Sequence, residues 1–225
     1  MGSVGLMLQW EHRISTVGGE GASRVQPAEI DDSSNPTSGV TREDAAMAAG
    51  CLAGDMNAYE RLYAVQGARM RNLARNLLGT QSDAEDAIQE TFLKIQRSIS
   101  GFRGQSSFVT WAFRILVNTC YDMRRKKLRR KEHLQDDTHE SMPREPRAPG
   151  AHPSLRMALE RALAKLTEHQ RSVFLLYEVE GFRHAEIATM LEISETASKN
   201  TLFQAKRNLR SMLEPPRSAE AGGAR

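Results

Sequence analysis

The sequence predicts an all-α fold: two small helical domains joined by a flexible linker. Three observations point there. Apolar residues recur at spacings of three and four through most of 41–213, and no segment alternates apolar and polar residues for the length of a strand. The long break in that pattern, 132–153, contains Pro143, Pro146 and Pro149 and is rich in acid. A chain of 225 residues is long enough for two such domains. The division expected is an extension without periodicity over 1–40, a first domain over 41–131, a linker over 132–153, a second domain over 154–214 and a tail over 215–225.

Taken in order, residues 1–40 hold Gly18, Gly19, Gly21 and a polar run from Asp31 to Gly39, and read as disordered. Thr41 suits an N-cap because Glu43 and Asp44 follow it, placing acids at the positive end of a helix dipole. A second helix is expected from about Met56 to Leu78. Tyr59, Leu62, Tyr63, Met70, Leu73 and Leu77 form its stripe, and Gly79 ends it. Ser82 and Glu85 have capping-box spacing, and Ala84, Ala87, Ile88, Thr91, Phe92 and Ile95 then share a face from which Asp83, Asp86 and Glu90 fall away. The chain breaks at 101–104. It restarts with Phe108, Trp111, Ala112, Ile115, Leu116 and Thr119 on one stripe and runs into RRKKLRRK, residues 124–131.

In the second domain Leu155, Leu159, Leu163 and Leu166 form a stripe. Thr167 and Gln170 form a second capping box, opening a helix through Val173, Phe174, Tyr177 and Glu180 that stops at Gly181. His184 to Glu192 is a short helix with Ile187, Ala188 and Leu191 inward. Ser194 then caps a longer helix to about Leu213, packed by Leu202, Ala205, Leu209 and Met212. That is helix-turn-helix spacing. Glu192 occupies the turn where such motifs often place glycine, and Ser198 a position where an apolar residue usually packs.

Composition narrows the function. No run approaches the roughly 18 apolar residues of a membrane span, and the apolar stretch near the start lacks the flanks of a signal peptide, so no membrane insertion and a cytoplasmic location are expected. Cys51 and Cys120 cannot alone supply a four-cysteine zinc site and read as small buried residues. The six histidines are scattered, and no Walker A loop, GxSxG elbow or HExxH is present, so no catalytic residue, metal or cofactor is expected. Net charge is only +3, but it is segregated: 124–131 carries seven cations in eight residues, whereas 1–40 holds five acids and two bases. A concentrated basic run suits a polyanion.

Two faces suit nucleic acid. On the last helix Lys199, Asn200, Phe203, Gln204 and Arg207 are left for a groove, where lysine reaches guanine acceptors and amides pair with adenine. In the first domain Phe102 and Arg103, then Arg114, Asn118, Tyr121 or Asp122, Arg124 and Arg125, combine cations, an amide and aromatic rings, as an unpaired strand needs. Solvated charged faces are the alternative for both. The acidic face of Asp83, Asp86, Gln89 and Glu90 fits either dipole complementation or a partner surface.

The segments DAEDAIQETF at 83–92, GFRG at 101–104 and FVTWAFRILVN at 108–118, with Asp122, Arg124 and Arg125, resemble region 2 of the extracytoplasmic-function sigma factors. LTEHQR at 166–171, EGF at 180–182, AEIA at 185–188 and residues 194–207 resemble region 4 of that family. The resemblance implies a promoter-specificity subunit of RNA polymerase. Asp83, Asp86, Gln89 and Glu90 would lie on the clamp helices of the largest core subunit. Phe102, Arg103, Arg114, Asn118, Arg124 and Arg125 would serve minus-10 recognition and melting, and Lys199, Asn200, Phe203, Gln204 and Arg207 would serve minus-35 reading. It also implies promoter DNA and an anti-sigma factor as partners. Gln204 stands where the family commonly has arginine, and Ser198 where it has valine. A free-standing helix-turn-helix repressor is the alternative, and an adaptor that binds polymerase without touching DNA is a third.

Overall fold

The computed structural model describes residues 41–134 and 153–213. The expected extension at 1–40, most of the linker and nearly all of the tail lie outside the described residues. Every regular element described is helical.

The first group contains α1 (Arg42–Leu52), α2 (Met56–Leu78), α3 (Gln81–Ser98), a short 3₁₀ turn (Ile99–Gly101) and α4 (Phe108–Leu134). Thr41 caps α1 as expected, its side chain accepting from the Asp44 amide. Asp55 caps α2, and Gly79 ends it in the left-handed region at φ 96°. The cap of α3 differs from expectation. Thr80, not Ser82, accepts from the Asp83 amide, and its hydroxyl donates to Asp83 Oδ2 at 2.6 Å. Ser82 lies inside the first turn, so the Ser82–Glu85 capping box does not form; the turn after Gly79 puts Thr80 at the helix mouth.

Leu62, Met70, Leu73, Ala84, Ala87, Ile95, Phe108 and Leu116 form the center of this core. Gly50 lets α1 and α2 meet: a Cβ there would stand 2.6 Å from Ala58 Cβ. Asp44, which the sequence suggested as a dipole acid of its own helix, is buried and reaches across to α4. Its carboxylate accepts from the amides of Phe108 at 2.7 Å and Val109 at 3.0 Å. It thus satisfies two of the donors that a helix start leaves unpaired.

The second group contains α5 (Pro153–Lys165), α6 (Glu168–Phe174) with a π-helical turn (Leu175–Val179), α7 (His184–Leu191) and α8 (Glu195–Leu213). The capping box of Thr167 and Gln170 is formed. The helix expected to run regularly to Glu180 loosens at Leu175, and Gly181 then turns the chain at φ 73°. Buried Arg171 donates to the carbonyls of Leu163, Ala164 and Leu166, closing the C-terminus of α5. Ala162, Leu163, Leu166, Ala205 and Leu209 pack together. Two stripe assignments fail: Leu159, in the middle of α5, and Met212, one residue from the end of α8, are both exposed.

The two helical groups expected from the sequence pack against one another within one compact unit. Phe113 shows why. It lies off the predicted α4 stripe yet is fully buried, with its ring 4.9 Å from that of Phe182 in the second group.

Candidate nucleic-acid interface

The turn between α7 and α8 forms as a helix-turn-helix. Glu192 ends α7 in the left-handed region (φ 56°, ψ 42°), a conformation that favours glycine, and the Ser194 hydroxyl accepts from the Ala197 amide to start α8. Ser198 is fully buried, and its hydroxyl sits 2.9 Å from His184 Nδ1. A hydrogen bond therefore joins the two helices where an apolar contact was anticipated. The His184 ring in turn stacks on Tyr177 at 4.5 Å. The sequence placed Tyr177 and His184 on successive helices but gave no sign that they meet, since the pairing joins two elements.

Lys199, Asn200, Phe203, Gln204 and Arg207 are all exposed on α8. Phe203 retains 66% of its surface, an unusual exposure for a ring that a folded chain has every reason to bury. Lys199 Nζ lies 2.7 Å from Glu195, which holds the ammonium pKa above its ordinary value and the Glu195 carboxyl below its own. The face is cationic where it meets solvent.

The first-domain face is built on α4. Asn118 and Arg125 are exposed, and Arg125 Nη2 donates to Asp122 Oδ1 at 2.5 Å, which lowers the Asp122 pKa. Phe102 is half-buried, its ring 5.4 Å from both Phe108 and Trp111, so it belongs to an aromatic cluster at the mouth of α4 while Arg103 beside it is exposed. Arg114 pairs with Glu192, and Arg124 Nε lies 3.9 Å from Glu168. Of Tyr121 and Asp122, the two alternatives for the outward face, Tyr121 turns to the second group and donates to Ser172 Oγ at 2.7 Å, and burial pushes its pKa up to about 12.

On the acidic helix α3, Asp86 is exposed and Gln89 and Glu90 are half-buried. Asp83 is engaged within the chain: Lys127 Nζ donates to it at 2.8 Å. Burial works to raise its pKa, but the bonds from Lys127 and Thr80 outweigh that and bring it below the usual value. The four predicted residues thus divide into one held by α4 and three facing outward or partly so. Among the described residues no group of histidine, cysteine or carboxylate side chains is arranged to hold a metal, and no helix is long and apolar enough to cross a membrane.

Residues 62–130 match the family model for Sigma-70 region 2, and residues 156–209 match that for Sigma-70 region 4. The chain is 31% identical over 172 residues to the ECF RNA polymerase sigma factor SigM of Mycobacterium tuberculosis, covering 76% of this chain and 85% of that protein. It is 32% identical to the ECF RNA polymerase sigma factor SigF of Caulobacter vibrioides, covering 80% of this chain and 97% of that one.

The chain belongs to the extracytoplasmic-function sigma factors.

Its role is that of a promoter-directing sigma factor, with α2–α4 carrying region 2 and α5–α8 region 4. The fold agrees with solved sigma factors. The sigma factor RpoE of Bartonella quintana, in complex with the anti-sigma factor NepR, superposes with a TM-score of 0.59 at 26% identity, covering 70% of this chain and 97% of that one. CnrH, in complex with the cytosolic domain of CnrY, gives a TM-score of 0.57 at 23% identity over 76% of this chain and 97% of that one.

Proposed function

We propose that this sigma factor binds core RNA polymerase through α3, with Asp86, Gln89 and Glu90 meeting the clamp helices of the largest subunit and Asp83 shaping that surface from its bond to Lys127. Region 4 reads the minus-35 element by laying α8 in the major groove, where Lys199, Asn200, Phe203, Gln204 and Arg207 reach base edges and phosphates. Region 2 recognises and opens the minus-10 element with Arg103, Arg114, Asn118, Arg124 and Arg125, and Phe102 backs that surface from the aromatic cluster. Opening needs no covalent step. Unstacking a base costs a few kcal/mol, offset by contacts to the extruded base and by the cations of 124–131. The protein works in the cytoplasm as a binding subunit without enzymatic activity or cofactor, and an anti-sigma factor holds it in reserve.

The observation that carries this reading is the solvent-facing row on α8, Phe203 above all, in a chain whose other half ends in a basic helix. Two weak readers held by one polymerase act together, because binding the first makes the second contact effectively intramolecular. The test is transcription by purified core enzyme with and without this protein on a library of genomic fragments. Discrete start sites that depend on the protein are expected. A footprint on a two-fold symmetric site in the absence of polymerase, with no start sites in its presence, would instead identify a repressor.

A further inference from the structure

Region 2 meets region 4 along one row of α4, residues 110, 114, 121 and 124, which recur at helical spacing and include two of the minus-10 cations. Tyr121 meets the Ser172 hydroxyl, and what faces the other three is acidic. Thr110 Oγ1 donates to Glu186 Oε1 at 3.0 Å, Arg114 pairs with Glu192, and Arg124 Nε lies 3.9 Å from Glu168 Oε1, a buried oxygen without a hydrogen-bond partner. Beside them Arg69 of α2 donates to Glu180 twice, from Nε to Oε2 at 3.1 Å and from Nη2 to the backbone oxygen at 2.7 Å. Its guanidinium also lies over the rings of Phe113 and Phe182. Four glutamates of one region therefore meet the donors of the other.

A carboxylate offers a guanidinium the same charge and acceptor oxygens that a phosphate offers. The backbone at Glu192 adds a second indication. Its left-handed conformation is one that glycine adopts without strain, so the glutamate there carries a backbone cost that glycine would not, and its side chain is on Arg114.

We propose that region 4 carries an intramolecular mimic of the DNA backbone: Glu168, Glu186 and Glu192 occupy the cations and donors of α4 that a single strand would take, with Arg69–Glu180 as the anchor. The free protein is thereby closed to the minus-10 strand and opens when region 4 is drawn away. This rests on the assignment of Arg114 and Arg124 to the minus-10 face. The Arg114–Glu192 pair is solvent-accessible, with side-chain exposures of 39% and 69%, so it is weak and exchangeable, as a reversible cover must be.

Glu192→Gly tests the proposal because glycine suits the backbone there and the variant loses the side chain that carries the carboxylate, which is exposed and not part of the core. The assay is anisotropy of the full-length protein, without polymerase, with a short fluorescein-labelled single strand of mixed sequence at low salt; phosphate recognition does not depend on sequence. Glu192→Gly is expected to bind about threefold more tightly than the wild type and Glu168→Gln/Glu192→Gly more tightly still, the scale that exposed ion pairs set. Spin labels at Gln96→Cys and Ser211→Cys should show a longer separation in the double variant. Unchanged affinity and unchanged separation in the double variant would overturn the cover. Arg114→Ala separates the two levels. If it leaves promoter opening by the holoenzyme undiminished, the minus-10 assignment fails and the mimic with it; if it impairs opening while the glutamate variants change nothing, the mimic alone fails.

Discussion

Region 2 and region 4 fasten their helices with the same device in opposite sign. In region 2 a buried anion, Asp44, leaves its own helix to close the N-terminus of α4. In region 4 a buried cation, Arg171, leaves α6 to close the C-terminus of α5. Each sits at the dipole end that favours its charge. The regions differ in how they hold their nucleic-acid faces. The α8 face of region 4 is open to solvent, whereas α4 of region 2 has Arg114 and Arg124 turned to glutamates. The lesson is that stability and availability are separate choices: the buried charges organise each region internally, and exposed charges decide which face is free.

The largest effect is expected at Arg171. Arg171→Met removes the guanidinium donors from the carbonyls of Leu163, Ala164 and Leu166, of which Leu163 keeps the Leu166 amide, and should cost region 4 about 3 kcal/mol, since hydrogen bonds to charged groups are strong and buried partners are left short of donors. Amide hydrogen exchange followed by region at increasing urea should show it, with protection lost first in region 4 and retained in region 2; a loss spread evenly over both regions would break the comparison. Asp44→Asn is next. One amide oxygen replaces a charged pair of acceptors, for a loss of about 2 kcal/mol that should fall on region 2.

A smaller effect belongs to the faces. Lys199→Ala should weaken upstream binding by the holoenzyme by about 1 kcal/mol, read by footprinting, and leave permanganate reactivity of minus-10 thymines unchanged once bound. Asn118→Ala should do the reverse, and equal loss in both assays for either variant would merge two sites kept distinct above. Both cysteines lie in region 2, and burial pushes the thiol of Cys51 up to about 11 and that of Cys120 up to about 12. Native protein at neutral pH should therefore react slowly with a disulfide reagent and release both thiols only on unfolding; fast labelling would contradict the buried placement. The smallest effect is acid sensitivity. The Asp83 pKa is lowered in the folded state, so its contribution is full above the unfolded carboxyl pKa and is lost as pH falls through the folded one. The urea midpoint should be flat from neutral pH to about pH 5 and decline below about pH 4, and Asp83→Asn should reduce that decline.

Helix bounds were legible where local chemistry sets them. Gly79, Thr41 and the Thr167–Gln170 box act within a few residues, so their positions in the chain carry the whole instruction. The face of α8 was legible for a related reason: Leu202, Ala205 and Leu209 point inward at helical spacing, which leaves Lys199, Asn200, Phe203, Gln204 and Arg207 to solvent. Asp44, Arg171 and Phe113 were not legible, because each is explained by a partner from another element. An acid in a first turn looks like a dipole acid until the neighbouring helix start is in place.

The sequence by itself determined an all-helical chain, the spacing of a helix-turn-helix and the residue types on both candidate faces, since periodicity, caps and charge are properties of short stretches. Only the tertiary structure decided that Glu192 lies against Arg114, that Tyr121 turns inward, and that Ser198 meets His184. Those pairings join residues 14 to 78 positions apart, and no local preference encodes which surfaces meet when two helical groups close on one another.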